Sequence, residues 1–213
     1  YANEGKQIAI VDLTQGELGT RGSGALRMEE CKAASQILGL VDRVNLGMAD
    51  GFFEENEDHL HQIIREIRHF RPKLIFANSI RDRHPDHGRA AALVARAAFL
   101  SGLPKIKTER NGISQEAYRS PMLLHYIQDM YIEPDVVLDV SAYAEEKIKL
   151  VQCFSSQFFD PNSTEPETPI SNAHFFEFMK GRMLQFGRPI GAKYAEGFTV
   201  NRTLGVSDLF HLI

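Results

Sequence analysis

KLIFANSIRDRHPDHGRAAALVARAAFL, Lys73 to Leu100, holds the change of pattern that decides the fold. KLIFANS is a continuous apolar run behind Pro72, too short for a helix and suited to a strand buried on both faces. From about Gly88 to Gly102 the residues are mostly alanine and leucine, which favour a helix. Between the two lies Arg83-His84-Pro85-Asp86-His87, with two imidazoles and a carboxylate in four residues. A strand that feeds a helix through a short polar loop is half of a βαβ unit.

The same alternation continues on both sides. Upstream, EDHLHQIIREIRHF places Leu60, Ile63, Ile64 and Ile67 on one helical face and stops before Pro72. Before it come a short strand, DRVNLG, and a helix, ALRMEECKAASQILG, with Gly39 suited to its C-terminal cap. KQIAIVDL opens the series as a β-rich run, followed by the glycine-rich TQGELGTRGSG. Downstream, MLLHYI and DVVLDVS have strand character, and AYAEEKIKLVQCFSSQF and AHFFEFMKGRMLQFG have helix character. The proline-rich, acidic FDPNSTEPETPISN is a surface loop, because apolar patterning resumes after it. The expected fold is α/β, a mainly parallel sheet flanked by helices, in one domain spanning residues 1–213. YANEGKQ has the character of a helix tail closing at Gly5. A first strand and part of a first helix are therefore expected ahead of Tyr1.

Bulk properties narrow the function classes. The 213 residues are 43% hydrophobic and 24% charged, ordinary for a globular chain. A net charge of -4 and a pI near 6.1 give no pull toward nucleic acid or an anionic membrane. AAALVARAAFL is too short for a membrane span and contains Arg96. Cys31 and Cys153 form no CxxC pattern, as expected of reduced thiols in a cytoplasmic protein.

In open α/β sheets, functional groups collect beyond the carboxyl ends of the strands. The RHPDH stretch occupies such a position, where it is either chemistry or a plain polar loop. As chemistry, one histidine could bind a metal through its neutral ring while the other works on substrate. Asp86 could fix a tautomer or hold an imidazolium. A catalytic zinc takes three protein ligands, and the motif supplies one or two. The histidines outside it lack ligand spacing to it; His125, within a strand, is expected to be a satisfied buried imidazole. Among the other strand-end loops, Arg21 and Arg27 could hold an anionic or hydroxyl-rich ligand. Arg27 could equally be a surface partner of Glu30, and Glu17 a plain loop carboxylate. Asp50 stands in an Asp-Gly turn, common for conformational reasons alone. The glycine order is neither GxGxxG nor a Walker loop, so nucleotide phosphate is disfavoured.

VDLTQGELGTRGSGALRMEE, NLGMADGFFEEN, RDRHPDHGRAA and YAEGFTVNRTLGVSDLF, in this order, resemble the LmbE-like zinc-dependent de-N-acetylases. The bacillithiol-biosynthesis deacetylases are the branch they resemble most. The resemblance implies a Rossmann-like α/β fold and a Zn2+ site, which Fe2+ could also occupy. It makes His87 a metal ligand and His84 the group that stabilises the tetrahedral intermediate, its charge supported by Asp86. It places Arg27 near the substrate and Asp50 and Tyr194 at the border of the pocket. The family's N-terminal His-Pro-Asp-Asp motif, with two further ligands and the general base, does not occur ahead of Lys6. The implied activity is deacetylation of an N-acetylglucosaminyl conjugate, N-acetylglucosaminyl malate above all, by a homo-oligomer. The alternatives are another N-acetyl sugar, or an inactive sugar-binding or oligomer-forming remnant.

Overall fold

The computed structural model describes residues 1–212. β1 (Ala9–Asp12) leads through the glycine-rich loop into α1 (Gly24–Leu38), and the chain returns along β2 (Asp42–Asn45). The two strands pair in parallel, Ala9 beside Asp42 and Asp12 beside Asn45, as a helical crossover requires. Ser23 caps α1 by accepting the Leu26 N–H at 3.2 Å, and Gly39 closes it in the left-handed conformation at φ 60°. Arg43 ties the strands together, its Nε and Nη2 donating to the two oxygens of Asp12 at 2.6 and 2.9 Å. That bidentate geometry is the strong form of an ion pair.

Next come α2 (Glu57–Phe70), β3 (Ile75–Ala77) and α3 (Pro85–Leu100). A small hairpin, β4 (Glu109–Arg110) and β5 (Ile113–Ser114), precedes β6 (Leu123–Tyr126) and β7 (Val136–Asp139). The chain continues through α4 (Ala144–Gln152) and α5 (Phe175–Gly187) to β8 (Ala195–Val200). The larger sheet has the order β3-β6-β8-β7. β3 and β6 are parallel, whereas β8 runs antiparallel to both of its neighbours. The molecule is thus α/β with mixed sheets flanked by helices.

The chain divides into two compact units, Tyr1–Phe53 with Ser141–Arg182, and Glu54–Val140 with the residues from Met183 onward. In the first unit Cys31, Ala34, Met48, Phe53, Ala144 and Ile148 form the core. Burial pushes the Cys31 thiol above its ordinary pKa, consistent with an unreactive packing residue. In the second, Leu60, Ile63, Ile64 and Ile67 of α2 are buried as the helical periodicity demands, along with Leu93 and Ala97 of α3 and Phe198 of β8.

Three elements differ from expectation. The helix expected from Gly88 starts at Pro85, so most of the histidine motif is helical. The helix expected across AYAEEKIKLVQCFSSQF stops at Gln152, because Ser156 beyond it donates through its N–H and hydroxyl to Glu30 at 2.7 and 2.9 Å. β8 was not foreseen. Gly197 in its middle weakens strand propensity, yet it packs tightly: a Cβ there would meet Phe186 and Ile127 at 3.1 Å and would have to displace them. The β4–β5 hairpin turns on Asn111 and Gly112, with φ of 54° and 76°, a pair suited to a left-handed two-residue turn.

Leu93 has no exposed surface. Leu93→Ala should therefore cost about 2–5 kcal/mol of stability, read from the shift in a urea unfolding curve.

Candidate functional site

The histidine motif opens α3. Pro85 takes the first helical position, where a missing N–H costs nothing. His84 is the N-cap, and its Nδ1 accepts the backbone N–H of Asp86 at 3.3 Å. The Asp86 carboxylate receives Arg89 Nη1 at 2.8 Å, one turn along the helix. His84 and His87 stack with ring centroids 5.1 Å apart and planes 29° from parallel.

The carboxylate bound to His87 belongs to Asp82, five residues upstream and outside the RHPDH stretch. Asp82 Oδ2 lies 2.6 Å from His87 Nδ1, and its side chain is fully buried. Its other oxygen accepts three backbone N–H groups, from Met130 at 2.8 Å, Arg83 at 2.9 Å and Asp129 at 3.1 Å. Burial alone would raise the Asp82 pKa; the bonds from Met130, His87 and Arg83 outweigh it and hold the carboxyl below its ordinary value. A second tie, Arg83 Nε to Asp129 Oδ2 at 2.6 Å, binds the loop after β6 to the motif.

Tyr194 immediately precedes β8. The pairing of Tyr126 with Phe198 and of Asp139 with Ala195 puts the start of β8 at the carboxyl ends of β6 and β7. Tyr194 therefore shares a sheet edge with the motif, and Lys193 Nζ lies 5.1 Å from the centre of its ring. His125 is the buried imidazole expected, with Nδ1 2.8 Å from the Asn78 carbonyl.

In the other unit, the loops after β1 and β2 clasp each other. Glu17 Oε1 accepts the Asp50 N–H at 2.8 Å, and Asp50 Oδ2 accepts the Leu18 N–H at 3.0 Å. The bond from Asp50 holds the Glu17 carboxyl below its usual range. Glu17 is thus more than a plain loop carboxylate, and Asp50 fixes the loop as well as its own turn. Arg27, in the first turns of α1, lays its guanidinium against the backbone of this loop. A Cβ on Gly16 would lie 2.9 Å from Arg27 Nη1, and one on Gly19 3.2 Å from Nη2. A side chain at either glycine would push the guanidinium aside, and Gly16 also has a left-handed φ of 66°. Arg27 does not pair with Glu30, which Ser155 and Ser156 occupy. Its Nε is buried without a hydrogen-bond partner among the described residues. Arg21 is committed elsewhere, donating to Ser163 Oγ at 2.7 Å with Glu165 3.6 Å away.

The structure thus gathers His84, Asp86 and His87 into one helical turn and sets Arg27 and Asp50 at strand-end loops. Asp82 does not stand out in the sequence. Its signal was its position, on the same strand-end loop as the histidines. As for a metal, His87 suits one ligand position: an imidazole anchored through Nδ1 offers Nε2. No three His, Cys, Asp or Glu side chains converge on a metal position among the described residues. Alone, these residues do not build a metal centre.

Asp82 also governs acid stability. Its folded pKa lies below the unfolded one, so its contribution is fully present above the ordinary carboxylate range and is lost as pH falls through the folded value. Urea midpoints measured from about pH 7 down to about pH 3 should decline for the native chain and decline less steeply for Asp82→Asn.

Comparison with known proteins concerns the chain as a whole. Residues 1–99 match the family of GlcNAc-PI de-N-acetylases, PIG-L. A diacetylchitobiose deacetylase of Thermococcus kodakarensis is 25% identical, across 99% of this chain and 79% of its own length. The crystal structure of the conserved protein TT1542 from Thermus thermophilus is 30% identical and superposes with a TM-score of 0.82, covering 96% of this chain and 86% of that one. GalB, the 4-carboxy-2-hydroxymuconate hydratase of Pseudomonas putida, shares the fold, with a TM-score of 0.76 at 20% identity over 98% of this chain and 89% of its own. With its motifs in family order and its fold matched along nearly its whole length, the chain belongs to the PIG-L/LmbE-like family of de-N-acetylases.

Proposed function

We propose that this chain removes the acetyl group from a small N-acetylglucosaminyl conjugate with an anionic aglycone, N-acetylglucosaminyl malate on the route to bacillithiol being the favoured substrate. The family supplies the coarser statement, a deacetylase of N-acetylated sugar conjugates. The observation that carries the finer one is Arg27, a guanidinium seated against glycine backbone and free of any ion pair among the described residues. An unpaired, partly buried cation is costly, and a ligand carboxylate relieves that cost with two parallel hydrogen bonds.

Amide hydrolysis needs a water nucleophile, a donor for the developing oxyanion and a proton for the departing amine. His84, with Nδ1 occupied by the Asp86 N–H, presents Nε2 as the oxyanion donor. His87 provides one ligand to a divalent cation, zinc or Fe2+, whose chemistry when bound is to lower the pKa of water toward roughly 7. The proposal takes the remaining ligands and the general base from outside the cluster described above. Residues 1–213 would act as one LmbE-like domain, in the cytoplasm and as a homo-oligomer, with Asp50 and Tyr194 as further substrate-binding candidates. No helix is long and apolar enough to cross a membrane among the described residues. The rival reading is a remnant that binds sugar without metal or turnover.

Acetate release decides between them. N-acetylglucosaminyl malate should be cleaved faster than diacetylchitobiose, with metal retained through purification; sugar binding without metal or acetate would favour the remnant. Arg27→Ala should lower kcat/KM for the malate conjugate about 10- to 100-fold and spare a neutral N-acetyl sugar. His84→Ala should lower kcat about 100- to 1000-fold with either substrate.

A further inference from the structure

The two motif histidines hold their rings with different nitrogens. Asp82 Oδ1 is surrounded by three backbone N–H groups, which can only donate. Its carboxylate is therefore held as an acceptor, and at 2.6 Å His87 Nδ1 must bring the hydrogen. In the neutral ring this leaves a lone pair on Nε2. His84 is the reverse case. The group facing its Nδ1 is a backbone N–H, which cannot accept, so that nitrogen keeps its lone pair and the hydrogen sits on Nε2. The two rings stack with centroids 5.1 Å apart.

We propose that Asp82 and the first turn of α3 hold His87 and His84 in opposite tautomers, which makes Asp82 a positioning residue that assigns the two histidines different roles. His87 can meet an electrophile such as a cation or a ligand proton; His84 can meet an oxygen. The proposal shares its residues with the deacetylase assignment but rests on the hydrogen-bond geometry alone. It explains why the motif is not symmetric: exchanging the two roles would require the Asp82 carboxylate to donate. The proton and lone pair are set before any ligand arrives, so substrate need not drive a tautomer exchange.

The test is a long-range proton–nitrogen NMR spectrum of the full chain labelled with 15N-histidine, above the pH at which either ring is charged. Signals are assigned by their loss in His84→Gln and His87→Gln. The expected result is Nδ1–H for His87 and Nε2–H for His84, each in about tenfold excess over the other form. Asp82→Asn makes the sharper prediction. The asparagine oxygen must face the three backbone N–H groups, so its NH2 turns to His87 Nδ1 and donates. His87 should then invert to the Nε2–H form while His84 keeps its own. The proposal is overturned if His87 in the native chain carries its hydrogen on Nε2 or exchanges evenly, or if a well-folded Asp82→Asn chain leaves the His87 tautomer unchanged. Should that variant not fold, the native spectrum still decides. None of these readouts depends on turnover, so failure here leaves the deacetylase assignment standing, and failure to release acetate leaves this one standing.

Discussion

A buried carboxylate with four donors around it organises the histidine turn. Asp82 lies just beyond β3, yet the groups it satisfies come from three places: its own loop, the first turn of α3, and the loop after β6. A buried charge without partners would cost more than most folds can sustain. Once these four donors converge, the cost is offset and the loops can no longer move independently. The His87 ring is fixed by the same contacts that keep the ion inside. Ring orientation and stability here rest on one set of hydrogen bonds.

The other unit solves a similar problem by other means. Its two strand-end loops are held to each other by carboxylates that accept backbone N–H groups, Glu17 from one side and Asp50 from the other. The clasp leaves Gly16 and Gly19 flat against the Arg27 guanidinium. Arg21, six residues away in sequence, is spent on Ser163 and Glu165. Two arginines that look alike in the sequence thus separate into one that braces the acidic loop and one whose Nε has no hydrogen-bond partner among the described residues.

Much of the second unit's architecture was legible because its signals are local. Leu60, Ile63, Ile64 and Ile67 share a face through the geometry of the helix alone, and all four are buried. β8 was not legible, because a strand containing Gly197 and flanked by antiparallel neighbours depends on partners distant in sequence. The helix after Ser141 ended early for a similar reason: Glu30, more than a hundred residues away, takes the bonds of Ser156.

From the sequence alone came the α/β class, the family, and the set of polar residues from which a site could be drawn, since spacing and composition are properties of neighbours along the chain. Only the tertiary structure decided what each does. Asp82, not Asp86, meets His87 at Nδ1, and Arg27 escapes Glu30. These outcomes turn on which donor reaches which acceptor within about 3 Å. Distances that short are set when remote loops pack together, and no one-dimensional pattern contains them.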